Sequence, residues 1–266
     1  MRENRVRSIW EAGGAVVNGW LQIPDTFAAE IMAHQGWDSL TIDLQHGPVD
    51  YQAALRMLQV VGTTDTTPFA RVPWNEPGII MKMLDAGCYG IICPMVNSRA
   101  ECERFVQACL YPPKGYRSFG PTRATYYAGA DYAPNANSAV IPMAMIETQQ
   151  AVENLDEILS VPGLVAIYVG PADLAQSYGK PPRADHTDPF MVDIIERIVA
   201  GCRQHKIYAG IHTASTDYAL HAIEHGFQFV TIQSDSRLLA AAASAAVKAV
   251  KEGQKTGATG GAAGPY

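Results

Sequence analysis

The sequence predicts a single α/β domain of the (β/α)8 barrel class, and three observations carry that reading. Apolar runs of strand length alternate with helix-compatible stretches along nearly the whole chain. The runs are near-continuous, as in strands buried on both faces of a parallel sheet. Their ends also recur at a steady interval: Trp20, His46, Arg71 and Met95 lie 26, 25 and 24 residues apart, and Glu147 to Asp173 spans 26. A βα unit repeated eight times at that length closes a barrel. A doubly wound open sheet ranks second, because "WLQIPDT" after the first run lacks the GxGxxG phosphate loop such a sheet usually carries.

The eight strands are expected in "GAVVNGWLQI" (14–23), "SLTIDL" (39–44), "PFARV" (68–72), "YGIICPMV" (89–96), "AVIPMAMIE" (139–147), "LVAIYVG" (164–170), "IYAGIH" (207–212) and "FQFVTIQ" (227–233). Between them lie helical stretches such as "DTFAAEIMAHQG", "YQAALRMLQVVG", "PGIIMKMLDAG" and "RAECERFVQACL". Gly36, Gly62 and Gly87 close three of these and suit helix C-caps. Two segments depart from the pattern. Residues 111–138, rich in Gly, Pro and Tyr, are too long for a simple connection and read as a functional loop. The last helix is expected to end near Lys251. The domain is thus placed at 1–252, followed by a flexible Gly-rich tail at 253–266.

Composition narrows the function. A chain of 266 residues buries roughly 70% or more of its unfolded surface. With 48% hydrophobic and 17% charged residues it reads as a soluble enzyme. A net charge of −6 and the lack of a Lys/Arg stripe exclude nucleic acid as the main partner. The charged N-terminus and the absence of 18 uninterrupted apolar residues predict neither a secretion signal nor a membrane span. The five cysteines (Cys88, Cys93, Cys102, Cys109, Cys202) are odd in number and lack CxxC spacing, as expected of reduced thiols in the cytoplasm.

Barrel active sites gather at the C-terminal ends of the strands. His46, Arg71, Glu147 and Asp173 all fall there. Glu147 and Asp173 follow neighbouring strands about 4.8 Å apart, so they could face one ion. Two carboxylates with few other ligands suit Mg²⁺ or Mn²⁺, with Co²⁺ a further candidate. Alone, Asp173 in "GPADLA" also reads as a helix N-cap. Arg71 in "FARVP" needs a carboxylate partner, either an internal acid or a 2-oxo acid substrate. Asp43, three residues before His46, could orient that imidazole as a base. His212 ends the seventh strand and could reach a substrate.

These residues sit in motifs that resemble a known family. "IDLQHGP", "RVPWNEP", "MLDAGCYGIICPMVNS", "YPPKGYRSFGP", "AMIETQQAVENLDEIL" and "VGPADLAQSYG" are together similar to the class II pyruvate aldolases of the HpcH/HpaI type, the 4-hydroxy-2-oxoheptanedioate aldolase family. The likeness runs from about residue 14 to 250. It implies a divalent metal on Glu147 and Asp173. It also implies pyruvate held by Arg71 and the amides around Ala172, and His46 with Asp43 as acid and base. Trp20 would line the pocket, and Asp85 would reach a neighbouring subunit's site. The family's assembly is a hexamer, a trimer of dimers that exchange their last helix. Gln45, Met145 and His212 depart from the family pattern.

The implied reaction makes or cleaves 4-hydroxy-2-oxo acids from a 2-oxo acid and an aldehyde through an enolate. A lysine Schiff base is disfavoured, because no lysine lies in any strand run. The rival readings are a lyase or decarboxylase acting on oxaloacetate or an acyl-CoA ester, and a non-catalytic metabolite-binding barrel.

Overall fold

The computed structural model describes residues 1–258, excepting the side chains of 255–258. Eight parallel strands close into a barrel in sequence order: β1 (Val16–Leu21), β2 (Ser39–Asp43), β3 (Thr67–Arg71), β4 (Gly90–Cys93), β5 (Ile141–Ile146), β6 (Ala166–Val169), β7 (Tyr208–Thr213) and β8 (Phe229–Ser234). Each falls within one residue of a strand run read from the sequence. The barrel class is therefore the observed fold.

The helices form the outer ring. α1 (Arg5–Glu11) precedes β1, and α2 (Thr26–Ala33), α3 (Tyr51–Val61), α4 (Pro77–Asp85) and α5 (Arg99–Cys109) follow the first four strands in turn. α6 (Thr122–Ala128) and α7 (Tyr132–Ala139) precede β5, and α8 (Gln149–Glu153) and α9 (Leu155–Leu159) follow it. α10 (Pro171–Ser177) and α11 (Pro189–His205) follow β6, α12 (Thr216–Glu224) follows β7, and α13 (Asp235–Ala258) follows β8. Local chemistry sets the starts: Asp50, Ser98, Thr148 and Ser215 each cap a helix by accepting a backbone N–H with the side chain. Pro77, Pro171 and Pro189 occupy first-turn positions that need no donor.

Two cores result. The larger lies between sheet and helices, and includes Leu40, Ile42, Met57, Phe105 and Ile198. The smaller fills the barrel, where Trp20, Phe69, Ile92, Met143, Tyr168 and Phe229 interdigitate. Each of the large apolar side chains contributes about 1.5–3 kcal/mol by burial. Gly90 is required by this packing, since a Cβ there would lie 1.9 Å from the Phe69 ring. α1 closes the N-terminal end: Val6 and Trp10 join the barrel core, and Trp10 stacks on Tyr208 with centroids 4.2 Å apart. The end at the C-termini of the strands is thereby left as the open one.

The segment 111–138 is more ordered than its composition implied. α6 and α7 occupy half of it, and Pro134 falls in the first turn of α7, where a proline is tolerated. Arg117 anchors the segment. Fully buried, it donates to Asp85 Oδ1 (2.6 Å) and Tyr132 Oη (3.0 Å) and lies over the Tyr111 ring.

α13 runs through Gly253 to Ala258 rather than ending near Lys251; the rest of the expected tail, 259–266, lies outside the described residues. From Leu239 to Gln254 every residue of this helix is exposed, including Leu239, Val247 and Val250. No described helix is long and apolar enough to cross a membrane.

Candidate active site

The strand register builds the site. Asp43 pairs with Arg71 across β2 and β3 at their C-terminal ends. There the Asp43 carboxylate accepts from Arg71 Nε (2.9 Å) and Nη2 (2.7 Å), a bidentate ion pair. It also accepts from Trp20 Nε1 (3.1 Å), Gln22 Nε2 (3.0 Å) and the backbone N–H groups of Gln45 (3.1 Å) and His46 (3.2 Å). Burial alone would raise its pKa. The hydrogen bonds and charge of Arg71, with those of Gln22 and Trp20, outweigh burial and hold the carboxyl well below the usual carboxylate range.

This geometry corrects one expectation. Asp43 grips the His46 backbone and makes no hydrogen bond to its imidazole; the partner it orients is the Arg71 guanidinium. Arg71 thus finds the internal acid it needs, and that acid uses Nε and one face of Nη2. The rest of its fork remains on the cavity, over the Trp20 ring at 4.9 Å. His46 stands exposed on the β2–α3 loop and lines the same cavity.

Glu147 follows β5 and is 3% exposed. Its Oε1 accepts from Met95 N (2.7 Å), while Oε2 has no hydrogen-bond partner among the described residues. Met95 presents that N–H from a left-handed conformation (φ 55°), a strain characteristic of functional sites. Gly170, beside Glu147 after β6, leaves room for that side chain: a Cβ there would sit 2.6 Å from Glu147 Oε2 and force it to move. Burial pushes the Glu147 carboxyl up to about 7. The Met95 N–H opposes that shift, Asp173 adds to it, and Arg71 opposes it.

Asp173 lies in the first turn of α10, exposed on the cavity wall. It makes no capping bond, and the N-cap is Gly170. The Ala172 amide lies in the same turn, whose N–H groups have no intrahelical acceptor. Among the described residues no group of three or more His, Cys, Asp or Glu side chains could hold a metal. Two hard carboxylates, one buried with an unpartnered oxygen, nevertheless fit an ion such as Mg²⁺ that keeps water or substrate in its other positions.

Trp20 and His212 also line the cavity, packed edge to face at 5.3 Å. His212 Nδ1 lies 3.0 Å from Tyr168 Oη, which donates to Thr231 Oγ1 (2.7 Å). Asn18 Nδ2 donates to the same Thr231 oxygen, and Asn18 Oδ1 accepts from Ser39 and Thr41. Burial, with the charge of Arg71, lowers the His212 pKa to about 4, so the ring is neutral at pH 7. Met145 lines the cavity, whereas Gln45 Oε1 is buried without a partner. Asp85 is not on this cavity. It ends α4 at the opposite end of the barrel, paired with Arg117.

Sequence reasoning missed Gln22, Tyr168, Arg183, Gln233 and Arg237 as cavity residues. Only Tyr168 carried a signal, a hydroxyl inside an apolar strand run. The others depend on how loops fold over the mouth.

Asp173, Arg71, His46 and His212 gather around one mouth at the C-terminal ends of the strands, the place where barrel enzymes carry their chemistry. Comparison with known proteins gives the family. The chain belongs to the HpcH/HpaI aldolase/citrate lyase family, whose model matches residues 19–242, and is a carbon–carbon lyase. It is 41% identical over 240 residues to a hydroxypyruvate/pyruvate aldolase of Rhizorhabdus wittichii, covering 90% of this chain and 96% of that one. It is 33% identical to a 4-hydroxy-2-oxo-heptane-1,7-dioate aldolase of Shigella flexneri, covering 91% of each. The crystal structure of a family protein from Burkholderia cenocepacia superposes with a TM-score of 0.86 at 27% identity, covering 92% of this chain and 98% of that one.

Two predictions follow from the electrostatics. Asp43→Asn turns an amide toward donors that need an acceptor and leaves Arg71 unpaired. It should cost about 3–5 kcal/mol in urea unfolding at pH 7. Because the native carboxyl titrates below its unfolded value, the difference from wild type should shrink as pH falls through the acid range. An Asp43→Asn protein as stable as wild type at pH 7 would remove Asp43 from this role. For Glu147 the sign is opposite. Its folded pKa of about 7 exceeds the unfolded value, so the metal-free protein should lose stability as pH rises from about 4.5 through 7, on the order of 3 kcal/mol. Glu147→Gln in EDTA should abolish that slope in thermal melts between pH 5 and 8; an unchanged slope would contradict the assignment.

Proposed function

We propose that the chain is a divalent-metal-dependent class II aldolase that makes and cleaves 4-hydroxy-2-oxo acids, joining pyruvate or a close 2-oxo acid to an aldehyde. One observation carries this reading: the buried Glu147 carboxyl lies behind Gly170 and close to Asp173, on whose cavity a guanidinium already oriented by Asp43 also opens. The names of the relatives point the same way.

Glu147 and Asp173 would hold the Mg²⁺ or Mn²⁺, or Co²⁺. When bound, such an ion supplies Lewis-acid polarisation of the 2-oxo group. Arg71 clamps the acid with the N–H groups Asp43 leaves free, and its charge offsets the negative charge that grows on the substrate. The Ala172 N–H, with the first turn of α10, donates to the substrate carboxylate. In cleavage His46 takes the proton of the 4-hydroxyl, and in synthesis it returns it. Trp20 walls the pocket and keeps Arg71 in plane. A Schiff-base route has no candidate, since no described lysine lies in a strand.

We also read the working form as a homo-oligomer, a hexamer built as a trimer of dimers that exchange α13. The support is the exposure of α13 beyond Leu238, since a helix of this kind gains most of its stability from packing. Phe27 and Ile31, exposed on α2, offer apolar surface for it. Asp85 would then act at a neighbouring protomer's mouth. Sedimentation velocity should find a hexamer, and Val247→Lys/Val250→Lys should shift it to smaller species; a monomeric wild type would end this reading. The cytoplasm is the proposed compartment, in keeping with five buried, free thiols.

The decisive test of the chemistry needs no knowledge of the aldehyde. Pyruvate in D₂O should lose its methyl proton signal with enzyme and Mg²⁺ or Mn²⁺, and keep it with EDTA. Arg71→Ala should slow the exchange by about 10²-fold or more. No exchange with any metal would reopen the oxaloacetate and acyl-CoA alternatives.

A further inference from the structure

Asp173 differs from the other acids of the site in how it is held. Asp43 accepts hydrogen bonds from Arg71, Trp20, Gln22 and two backbone amides, and Glu147 accepts one from Met95 N. The exposed Asp173 carboxylate takes part in no hydrogen bond or ion pair among the described residues. Its place at the mouth is therefore set by the backbone turn that carries it.

That turn is itself lightly tied. α10 starts from Gly170, which offers no capping side chain, and Pro171 has no N–H to donate. Backbone hydrogen bonds join Gly170 N to Ile146 O (3.4 Å) and Leu174 N to Gly170 O (3.0 Å). Among the described residues, one side chain hydrogen-bonds to residues 170–173: His186, whose Nε2 lies 3.2 Å from Pro171 O. A carbonyl oxygen only accepts, so Nε2 carries the proton and donates it. His186 is 5% exposed and does not line the cavity. The proposed chemistry leaves this buried, titratable side chain without a role.

The loop 178–188 that carries His186 is fixed on its other side as well. Asp185, the preceding residue, accepts from Ala214 N (2.8 Å) and Ser215 Oγ (2.7 Å), both in the turn after β7. At the loop's ends Lys180 pairs with Asp188, which also caps α11 by accepting from Phe190 N (3.2 Å). Two consecutive residues thus bond to two walls of the cavity, Asp185 to the segment after β7 and His186 to the segment after β6. A loop anchored at that many points holds its imidazole in one place.

We propose that His186 is a positioning residue for the metal: its hydrogen bond to Pro171 O fixes the turn that presents Asp173, so the affinity for the divalent ion depends on a histidine that never touches it. This rests on the assignment of Asp173 and Glu147 as the ion's ligands. Outer-shell hydrogen bonds of this kind set the geometry of a ligand whose own side chain is otherwise free to turn.

The test is a Mn²⁺ titration of the full-length protein without substrate, followed by the electron paramagnetic resonance signal of the free ion. His186→Gln places an amide N–H where Nε2 stands, whereas the shorter His186→Asn places it out of reach of Pro171 O. The asparagine variant should bind Mn²⁺ about tenfold more weakly or worse, and the glutamine variant should keep an affinity near that of wild type. Should the asparagine variant not fold, as judged by its thermal melt, His186→Phe keeps a ring in the buried slot without the donor and is read in the same way. A folded donor-free variant that binds Mn²⁺ as tightly as wild type overturns the inference. So does a glutamine variant as weak as the asparagine one, since packing and not the hydrogen bond would then matter. A wild type that binds no Mn²⁺, or binds it equally after Asp173→Asn, overturns the metal assignment and this inference with it.

Discussion

The Asp43 carboxylate has no exposed surface, and everything it accepts comes from a group whose position matters at the mouth of the barrel. Arg71 is held in its fork, Trp20 and Gln22 are tied down from β1 and the residue after it, and two amides of the β2–α3 loop are fixed. Such a carboxylate is expensive to bury. It persists because six hydrogen bonds, two of them from the bidentate Arg71 guanidinium, replace the water it lost. The consequence is a guanidinium whose direction is set before any substrate arrives, so that little ordering remains at the moment of reaction.

Glu147 shows the opposite economy of charge. It is nearly as buried, yet it receives one backbone hydrogen bond and lies near a second carboxylate. The protein holds it there at a cost, with a left-handed Met95 on one side and Gly170, which leaves it room, on the other. A buried acid with an unpartnered oxygen is a site prepared for a positive charge. The fully satisfied acid beside β3 and the unsatisfied acid after β5 divide the labour: one orients a cation that belongs to the protein, the other awaits one that does not.

Much of this was legible in the residues. Near-continuous apolar runs at a βα interval left little room for another architecture, because burial on both faces removes the polar alternation of an exposed sheet. Residues placed at the ends of those runs had to share one mouth, so Trp20, His46, Arg71, Ala172, Asp173 and His212 all reach the cavity. What misled was locality. Asp43 and His46 are close in sequence, yet in parallel register Asp43 stands directly opposite Arg71, and that cross-strand neighbour wins. In the same way, the Gly, Pro and Tyr content of residues 111–138 suggested an irregular loop. Two short helices form there because Arg117 organises them from a distance.

The sequence by itself determined the barrel, the end at which chemistry would gather and the residue types available to it. Those follow from periodicity and strand spacing, which are local properties. Tertiary structure alone decided which partner each charge takes. It turned Asp43 toward Arg71, tied Asp185 to the turn after β7 and left Arg183 and Arg237 facing the cavity with no ion pair among the described residues. Pairing of charges depends on distances across strands and loops remote in the chain, and a few ångströms of placement decide whether a guanidinium is satisfied or ready to bind.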